Sequence, residues 1–257
     1  MTDDPVPIGS LETSGRIIDV LVEDGASGVT HVAGETGISK GTVHKHLSSL
    51  RTLGYVVKDG TSYRLSLRYL GIGNRVRMRN ELYQIAKPII DELAETVRAT
   101  TNLMIAENGF GVYVYRNGEA SEWSGHLPAV GQRVHLHATA GGKAILSQYA
   151  EERIDDIVTT HGLAQLTGKT ITDEREFKRE LRSVRDRGLA FERGEHLPSI
   201  QCVGSPIGNS DGPIGSISVS GSIDRMSGKK LEEDFAGLVV SKANEIEVAL
   251  LKNDFDP

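Results

Sequence analysis

The sequence predicts an α+β protein in two parts: a small winged helix-turn-helix module, then a larger antiparallel sheet with helices packed on it. Three observations carry that prediction. A short helix with a polar, cationic face, from Ser39 to Leu50, follows a turn at Gly37. The dipeptide Asp59-Gly60 lies between two β-forming runs directly after it. Beyond residue 100, hairpin signals alternate with amphipathic helical stretches.

The chain of 257 residues is long enough for one large domain or two smaller ones and for a substantial core. Its hydrophobic content of 38% and charged content of 25% are those of a globular protein. No apolar run reaches the length of a transmembrane helix, so no membrane partner is expected. The start, Met1-Thr2-Asp3-Asp4-Pro5, lacks the basic and apolar regions of a signal peptide, which predicts a cytoplasmic location. Cys202 is the only cysteine, which excludes an intrachain disulfide and a multi-cysteine zinc ribbon. The net charge of −6 argues against nucleic acid until its distribution is read. From Ser39 to Arg68 the cations Lys40, Lys45, Arg51, Lys58, Arg64 and Arg68 face Asp59 alone, and Arg75, Arg77 and Arg79 extend the run. A basic patch on an acidic protein suits a DNA reader whose remaining surface limits non-specific sticking.

Residues 1–10 read as a loose tail. Leu11 to Asp24 is expected to be helical, from Leu11, Ile17, Ile18, Leu21 and Val22, with Gly25 and Gly28 ending it. Thr30 is the expected cap of a short helix, His31 to Thr36. In the next helix Ser39 is the expected N-cap, and Ile38 with Val43 forms a hydrophobic staple. Val43, Leu47 and Leu50 repeat at helical spacing and predict a core face. Gly41, Lys45, Ser48 and Ser49 lie opposite, flanked by Thr42 and His44. A face with donors, acceptors and a cation but no bulky apolar residue fits a DNA major groove. Tyr55 to Lys58 and Ser62 to Leu65 then read as strands of a wing, with Asp59-Gly60 as their turn. Leu67 to Arg79 reads as a basic connecting helix. Leu82, Ile85, Ile89, Leu93 and Val97 mark a longer helix to Ala99, which Pro88 is expected to kink or break.

In the second part, Leu103 to Ala106 and Val112 to Tyr115 are expected strands joined by Asn108-Gly109. Val134 to Leu136 is a short extended piece. Helices are expected over Gly142 to Gln148 and Glu151 to Thr160, and from an Asp173 cap to Arg187. Cys202 to Ile207 and Ile214 to Ser220 are expected strands across Asn209-Ser210-Asp211-Gly212. Leu231, Phe235, Leu238, Val239, Ile246 and Leu250 stripe a final long helix.

Three features of this part carry chemistry. In Leu136-His137-Ala138-Thr139-Ala140-Gly141-Gly142-Lys143-Ala144, small residues precede a helix start, where backbone N–H groups and Lys143 can hold an anion. Tight packing of the loop on the sheet explains the glycines equally well. Glu192 precedes Cys202 by ten residues. Ser216, Ser218 and Ser220 share one face of a strand, opposite Ile217 and Val219, and read either as a polar pocket wall or as a solvent-facing edge.

These segments together resemble the IclR family of transcriptional regulators over nearly the whole length. The loop just quoted, then Gly188-Leu189-Ala190-Phe191-Glu192, then Cys202-Val203-Gly204-Ser205-Pro206-Ile207 and Ser216 to Gly221, follow that family's order. The resemblance implies a winged helix-turn-helix at 11–68, a linker helix at 69–81, and a GAF-like effector-binding and oligomerisation domain at 82–253. It implies a small-molecule effector, typically an organic acid, near Thr139, Ala140, Gly141, Glu192, Cys202, Ser218 and Ser220. Glu192 stands where the family usually has Asp, and Gly194-Glu195 where it has an acidic pair, so the pocket is expected to be reshaped. DNA contacts are expected from Ser39, Lys40, Thr42, His44, Lys45 and Ser48, with phosphate contacts from Arg51, Lys58 and Arg64. A homodimer or homotetramer on a palindromic double-stranded operator follows from the few base pairs one such module reads. No enzymatic activity and no cofactor are expected. Two other readings use the same residues: a hydrolase with Cys202 as nucleophile, His137 as base and Glu192 as orienter, and a metal-responsive regulator with His135, His137, Glu192 and Cys202 as ligands. A lone cysteine at the start of an apolar strand is more often a small buried hydrophobe.

Overall fold

The computed structural model describes residues 7–118, 127–209, 212–226 and 228–253. Most of the expected tail and the turn residues Ser210 and Asp211 lie outside the described residues. The chain divides between Val76 and Arg77 into two units.

The first unit contains α1 (Gly9–Glu23), β1 (Ser27–Gly28), α2 (Val29–Thr36), α3 (Lys40–Thr52), β2 (Val56–Asp59) and β3 (Ser62–Leu65). Its core is Ile17, Leu21, Val32, Val43, Leu47, Leu50, Val56 and Tyr63. The apolar stripe of α3 is therefore buried, and Ile38 packs beside Val43 as a staple. Gly37 closes α2 at φ 70°, a left-handed conformation that costs glycine least, and so turns the chain into α3. Two ties fix α1 against this turn. The Arg16 guanidinium donates to the Thr36 carbonyl, and Ser14 Oγ lies 2.9 Å from His46 Nδ1.

Two local expectations need correction. Thr30 lies inside α2 and caps nothing; Gly28 holds the N-cap position, and its pairing with Ser62 sets where the helix begins. That two-residue strand β1, edge of a sheet ordered β1-β3-β2, has no periodicity of its own to read. In the wing, Asp59 pairs with Ser62, so the turn is Gly60-Thr61. Gly60 alone takes a positive φ there, at 56°, which fits a turn with glycine in the first central position.

α4 (Arg68–Met78) follows the wing. Arg68 anchors its start by donating to the Leu53 carbonyl and lying 4.5 Å over the Tyr55 ring. α4 buries no residue.

The second unit opens with α5 (Glu81–Val97), capped by Asn80, whose Oδ1 accepts from the Tyr83 N–H at 2.9 Å. Then come β4 (Thr100–Glu107), β5 (Phe110–Asn117), β6 (Arg133–His135), a 3-10 turn (Leu136–Ala138), α6 (Ala140–Ser147), α7 (Glu151–His161), α8 (Glu174–Arg187), β7 (Ala190–Arg193), β8 (Ile200–Asn209) and β9 (Gly212–Ser222). A π-helical segment (Lys230–Phe235) leads into α9 (Ala236–Asn253). The six strands form one antiparallel sheet ordered β6-β5-β4-β9-β8-β7. One face carries Leu103, Val203, Ile217 and Val219 against Ile90 and Leu93 of α5 and Val239 and Ile246 of α9. The other carries Met104 and Tyr113 against Ile145 of α6 and Phe177 and Leu181 of α8. Burial on this scale stabilises by about 1.5–3 kcal/mol per large aliphatic side chain.

Pro88 does not break α5, which runs as one helix from Glu81 to Val97. Leu82, Ala86, Ile89, Ile90, Leu93 and Val97 all bury against the sheet and α9, and that packing outweighs the lost backbone bond. The Asp173 cap is present, accepting from the Glu176 N–H at 2.8 Å. Asn108 and Gly109 both take positive φ, 50° and 79°, in the β4–β5 turn.

Candidate nucleic-acid interface and ligand recess

Burying Val43, Leu47 and Leu50 turns the rest of α3 outward. Ser39, Lys40, Thr42, His44, Lys45 and Arg51 are exposed, and Ser48 is half-buried. Ser39 Oγ accepts from the Thr42 N–H at 3.2 Å and lies 2.9 Å from Thr42 Oγ1, so both hydroxyls are engaged in the cap. On the wing, Lys58 and Arg64 are exposed; the Lys58 ammonium lies 5.7 Å from the Tyr63 ring centre. Among the described residues, Lys40, Lys45, Arg51, Lys58 and Arg64 enter no ion pair. Five unneutralised cations on one helix and one hairpin form an anion-binding surface.

The loop before α6 departs from the simple anion-site reading. Lys143 is 1% exposed, and its ammonium lies 2.7 Å from Glu195 and 3.5 Å from Glu180. Its charge is spent in a buried bridge, where loss of one partner costs about 3–5 kcal/mol. Gly142 is required by close approach, since a Cβ there would lie 2.1 Å from the Leu136 carbonyl oxygen. Thr139 caps α6 by accepting from the Gly142 N–H at 3.0 Å.

The polar chemistry gathers on the sheet face that α6 covers. Register places Glu192 beside Cys202 and Cys202 beside Ser220. On the neighbouring row Gly204, Ser218, Asn102 and Arg116 stand in line across β8, β9, β4 and β5. Hydrogen bonds join the two rows. Cys202 Sγ donates to Ser220 Oγ at 3.1 Å. Asn102 Nδ2 donates to Ser220 Oγ at 2.9 Å and to Ser218 Oγ at 3.3 Å. Arg116 Nε donates to Asn102 Oδ1 at 2.7 Å, and its Nη1 donates to the Pro128 carbonyl. A recess of about 290 Å³, part of it open solvent, lies over this network. Thr139, Glu192, Cys202 and Ser220 line it together with Tyr113, Arg116 and His196. Ala140, Gly141 and Ser218 do not reach it; Ala140 and Gly141 pack against Gly204, and Ser218 bonds to Asn102.

Burial pushes the Glu192 carboxyl up to about 7, against the pull of the Cys202 thiol and the Glu195 and His196 N–H groups. Its Oε1 accepts from the Glu195 N–H at 2.5 Å and the His196 N–H at 3.1 Å. Burial, and then the Glu192 charge, push the Cys202 thiol well above its ordinary range. A thiol held protonated is a poor nucleophile. His137 is not beside it. Its Nε2 lies 3.0 Å from the Ala164 carbonyl oxygen, and its ring lines a separate recess with His135 and His161. The hydrolase constellation is therefore not assembled. The four residues of the metal reading divide between the same two recesses, and no metal-holding group of three or more such residues occurs among the described residues.

Sequence reasoning missed Arg116, Tyr113, Asn102 and His196, and the reason is local. Leu103 pairs with Tyr115 but Met104 pairs with Tyr113, so Val114 is an extra residue, a β-bulge. Val114 and Tyr115 both pack into the cluster on the α5 side of the sheet, while Tyr113 and Arg116 both face the recess. Strict alternation puts Tyr113 and Arg116 on opposite faces.

A family model of the IclR helix-turn-helix domain matches residues 10–60, and one of the bacterial transcriptional regulator IclR C-terminal matches residues 75–248. The chain is 28% identical over 251 residues to a probable HTH-type transcriptional regulator ArcR of Halobacterium salinarum, covering 96% of this chain and 95% of that one. It is 24% identical over 247 residues to the transcriptional repressor IclR of Escherichia coli, covering 94% and 90%. Among solved structures it resembles the Thermotoga maritima IclR, with TM-score 0.76, 28% identity and coverage of 94% and 98%. It shares the fold of an IclR homolog from Microbacterium hydrocarbonoxydans complexed with 4-hydroxybenzoate, with TM-score 0.80, 19% identity and coverage of 95% and 99%.

Proposed function

This chain belongs to the IclR family of bacterial transcriptional regulators, and from that premise we propose that it grips a palindromic operator as a homodimer or homotetramer, under control of a small organic acid held in the sheet recess. It is a DNA-binding regulator and not an enzyme. The observation that carries the reading is the unpaired cationic surface of α3 and the wing. Lys40, Thr42, His44, Lys45 and Ser48 read base edges beside the capping Ser39, and Arg51, Lys58 and Arg64 hold phosphates. The second unit supplies the sensor, with Thr139, Glu192, Cys202 and Ser220 facing the effector and Ala140, Gly141 and Ser218 backing them. A small aromatic acid bound to the Microbacterium relative supports that effector class. The effector acts by binding one arrangement of the paired DNA-binding modules better than another. Cytoplasmic operation follows from the operator target, and no described helix is long and apolar enough to cross a membrane.

Dimerisation is supported by α4. Leu67 (just before it), Leu70 and Val76 are 79%, 72% and 68% exposed on an otherwise basic segment. Apolar residues so presented mark a contact surface.

Selection of binding sites from a random duplex library tests the operator reading. A palindromic consensus is expected, with affinity falling steeply with salt. Lys45→Ala is expected to weaken binding on the order of 10- to 100-fold with helix content unchanged. Enrichment of no sequence over bulk DNA, with and without added organic acids, overturns it.

A further inference from the structure

We propose that Arg116 is the anion anchor of the recess, so that the effector is a monocarboxylate whose far end carries a neutral hydroxyl or carbonyl, and that diacids and uncharged analogues are rejected. The proposal rests on the small-molecule reading above and names what that molecule must be.

The Arg116 guanidinium has no counter-ion among the described residues. Yet Arg116 is partly buried and lines the recess. Its described partners are neutral: the Asn102 amide oxygen, the Pro128 carbonyl and the Tyr113 ring, 4.8 Å from the guanidinium carbon. Burial lowers its proton affinity, but guanidinium remains charged at any physiological pH. A cation kept from water without an anion is costly. The Asn102 and Pro128 bonds use Nε and Nη1 and fix the plane of the fork, leaving Nη2 to meet a ligand carboxylate. A larger neighbouring recess of about 460 Å³ shares Leu127, Ile200 and Ser220 with this one and carries Arg225 and Lys230, which adds positive potential beside it.

The opposite side of the recess asks for something else. Glu192 and Cys202 both favour their protonated forms there. His196 lines the same wall, and its Nδ1 is buried without a hydrogen-bond partner. Burial also disfavours protonation of that ring. These groups can exchange hydrogen bonds with a hydroxyl or carbonyl, but they offer no positive charge to a second carboxylate, whose lost hydration would go uncompensated there. Tyr113, Leu127, Leu197 and Ile200 complete the lining and give apolar surface for a short carbon body. One cation, one neutral polar wall and apolar lining residues describe a monoanion with a polar neutral tail.

The test uses the full-length protein and three probes of one shape: 4-hydroxybenzoate, its methyl ester and terephthalate, with pyruvate and succinate as a smaller pair. Calorimetric titration of the wild type is expected to show binding of 4-hydroxybenzoate or pyruvate, and binding at least tenfold weaker for the ester and for either diacid. Arg116→Met is expected to weaken the monocarboxylate on the order of 10- to 100-fold, while Arg116→Lys recovers part of that loss. An ester or diacid bound as tightly as the monoacid overturns the anchor but leaves a small-molecule sensor standing, as does a monoacid whose affinity Arg116→Met leaves unchanged. Binding of none of the five probes overturns both. The acid-to-ester comparison needs no variant and stands if Arg116→Met does not fold.

Discussion

Glu192 is the side chain on which the environment acts most strongly. Its carboxyl is buried against a thiol and a neutral imidazole, and two backbone N–H groups do not offset the lost hydration. A folded-state value raised from 4.5 to about 7 means that folding favours the protonated form. That contribution is complete below the unfolded value and is lost as pH rises through about 7. Glu192→Gln keeps the acceptor for the Glu195 and His196 N–H groups and cannot ionise. Relative to the wild type, the Gln variant is expected to gain about 2–3 kcal/mol between pH 5 and pH 8, read by urea unfolding at each pH. A constant difference across that range removes the burial argument. The other groups facing Glu192 do not create this gap. Burial disfavours the charged forms of His196 and Cys202 in both proteins alike, and the Glu195–Lys143 bridge is common to both.

At the scale of elements, α3 shows how much a local sequence can say. Its cap, its staple and its buried stripe are all short-range features, so Ser39, Ile38 and Val43-Leu47-Leu50 could be read directly. The cap also makes two roles of Ser39 separable. Ser39→Ala is expected to cost about 1 kcal/mol of stability. Ser39→Asp keeps a good cap and leaves the denaturation midpoint close to the wild type, yet it sets a negative charge at the DNA face and is expected to weaken operator binding more than tenfold. Operator affinity unchanged in the Asp variant places Ser39 away from the duplex. Features set by distant partners were not legible. The strand β7 and the short β1 exist because of what they pair with, Cys202 and Ser62 among others. The wing turn slipped by one residue because register, not the Asp-Gly dipeptide, decides which residues sit at its tip. Of the recess, the loop at Thr139, Glu192, Cys202 and Ser220 could be anticipated from a family pattern. Arg116 could not, because the bulge at Val114 defeats the period-two rule.

For the whole molecule, a net charge of −6 coexists with a cationic DNA face because acidic residues lie mainly outside α3 and the wing. The apolar residues of α4 are the other unbalanced surface. Leu70→Glu in the full chain is expected to shift the sedimentation coefficient toward monomer and to weaken operator binding at least 100-fold, since two half-sites are then gripped independently. A variant that sediments as the wild type assigns the contact to another face. The extra residue at Val114 reaches beyond its own strand, because it sets the parity of everything after it in β5. Were Val114 instead to enter the ladder opposite Leu103, the later residues of β5 would slip by one, turning Arg116 to the side of α5 and bringing Tyr115 round in its place, so that the recess would lose its guanidinium with no amino acid exchanged. A slip of register within one strand, more than an exchange of side chains, is then the shortest evolutionary path by which a sensor of this build acquires a different taste.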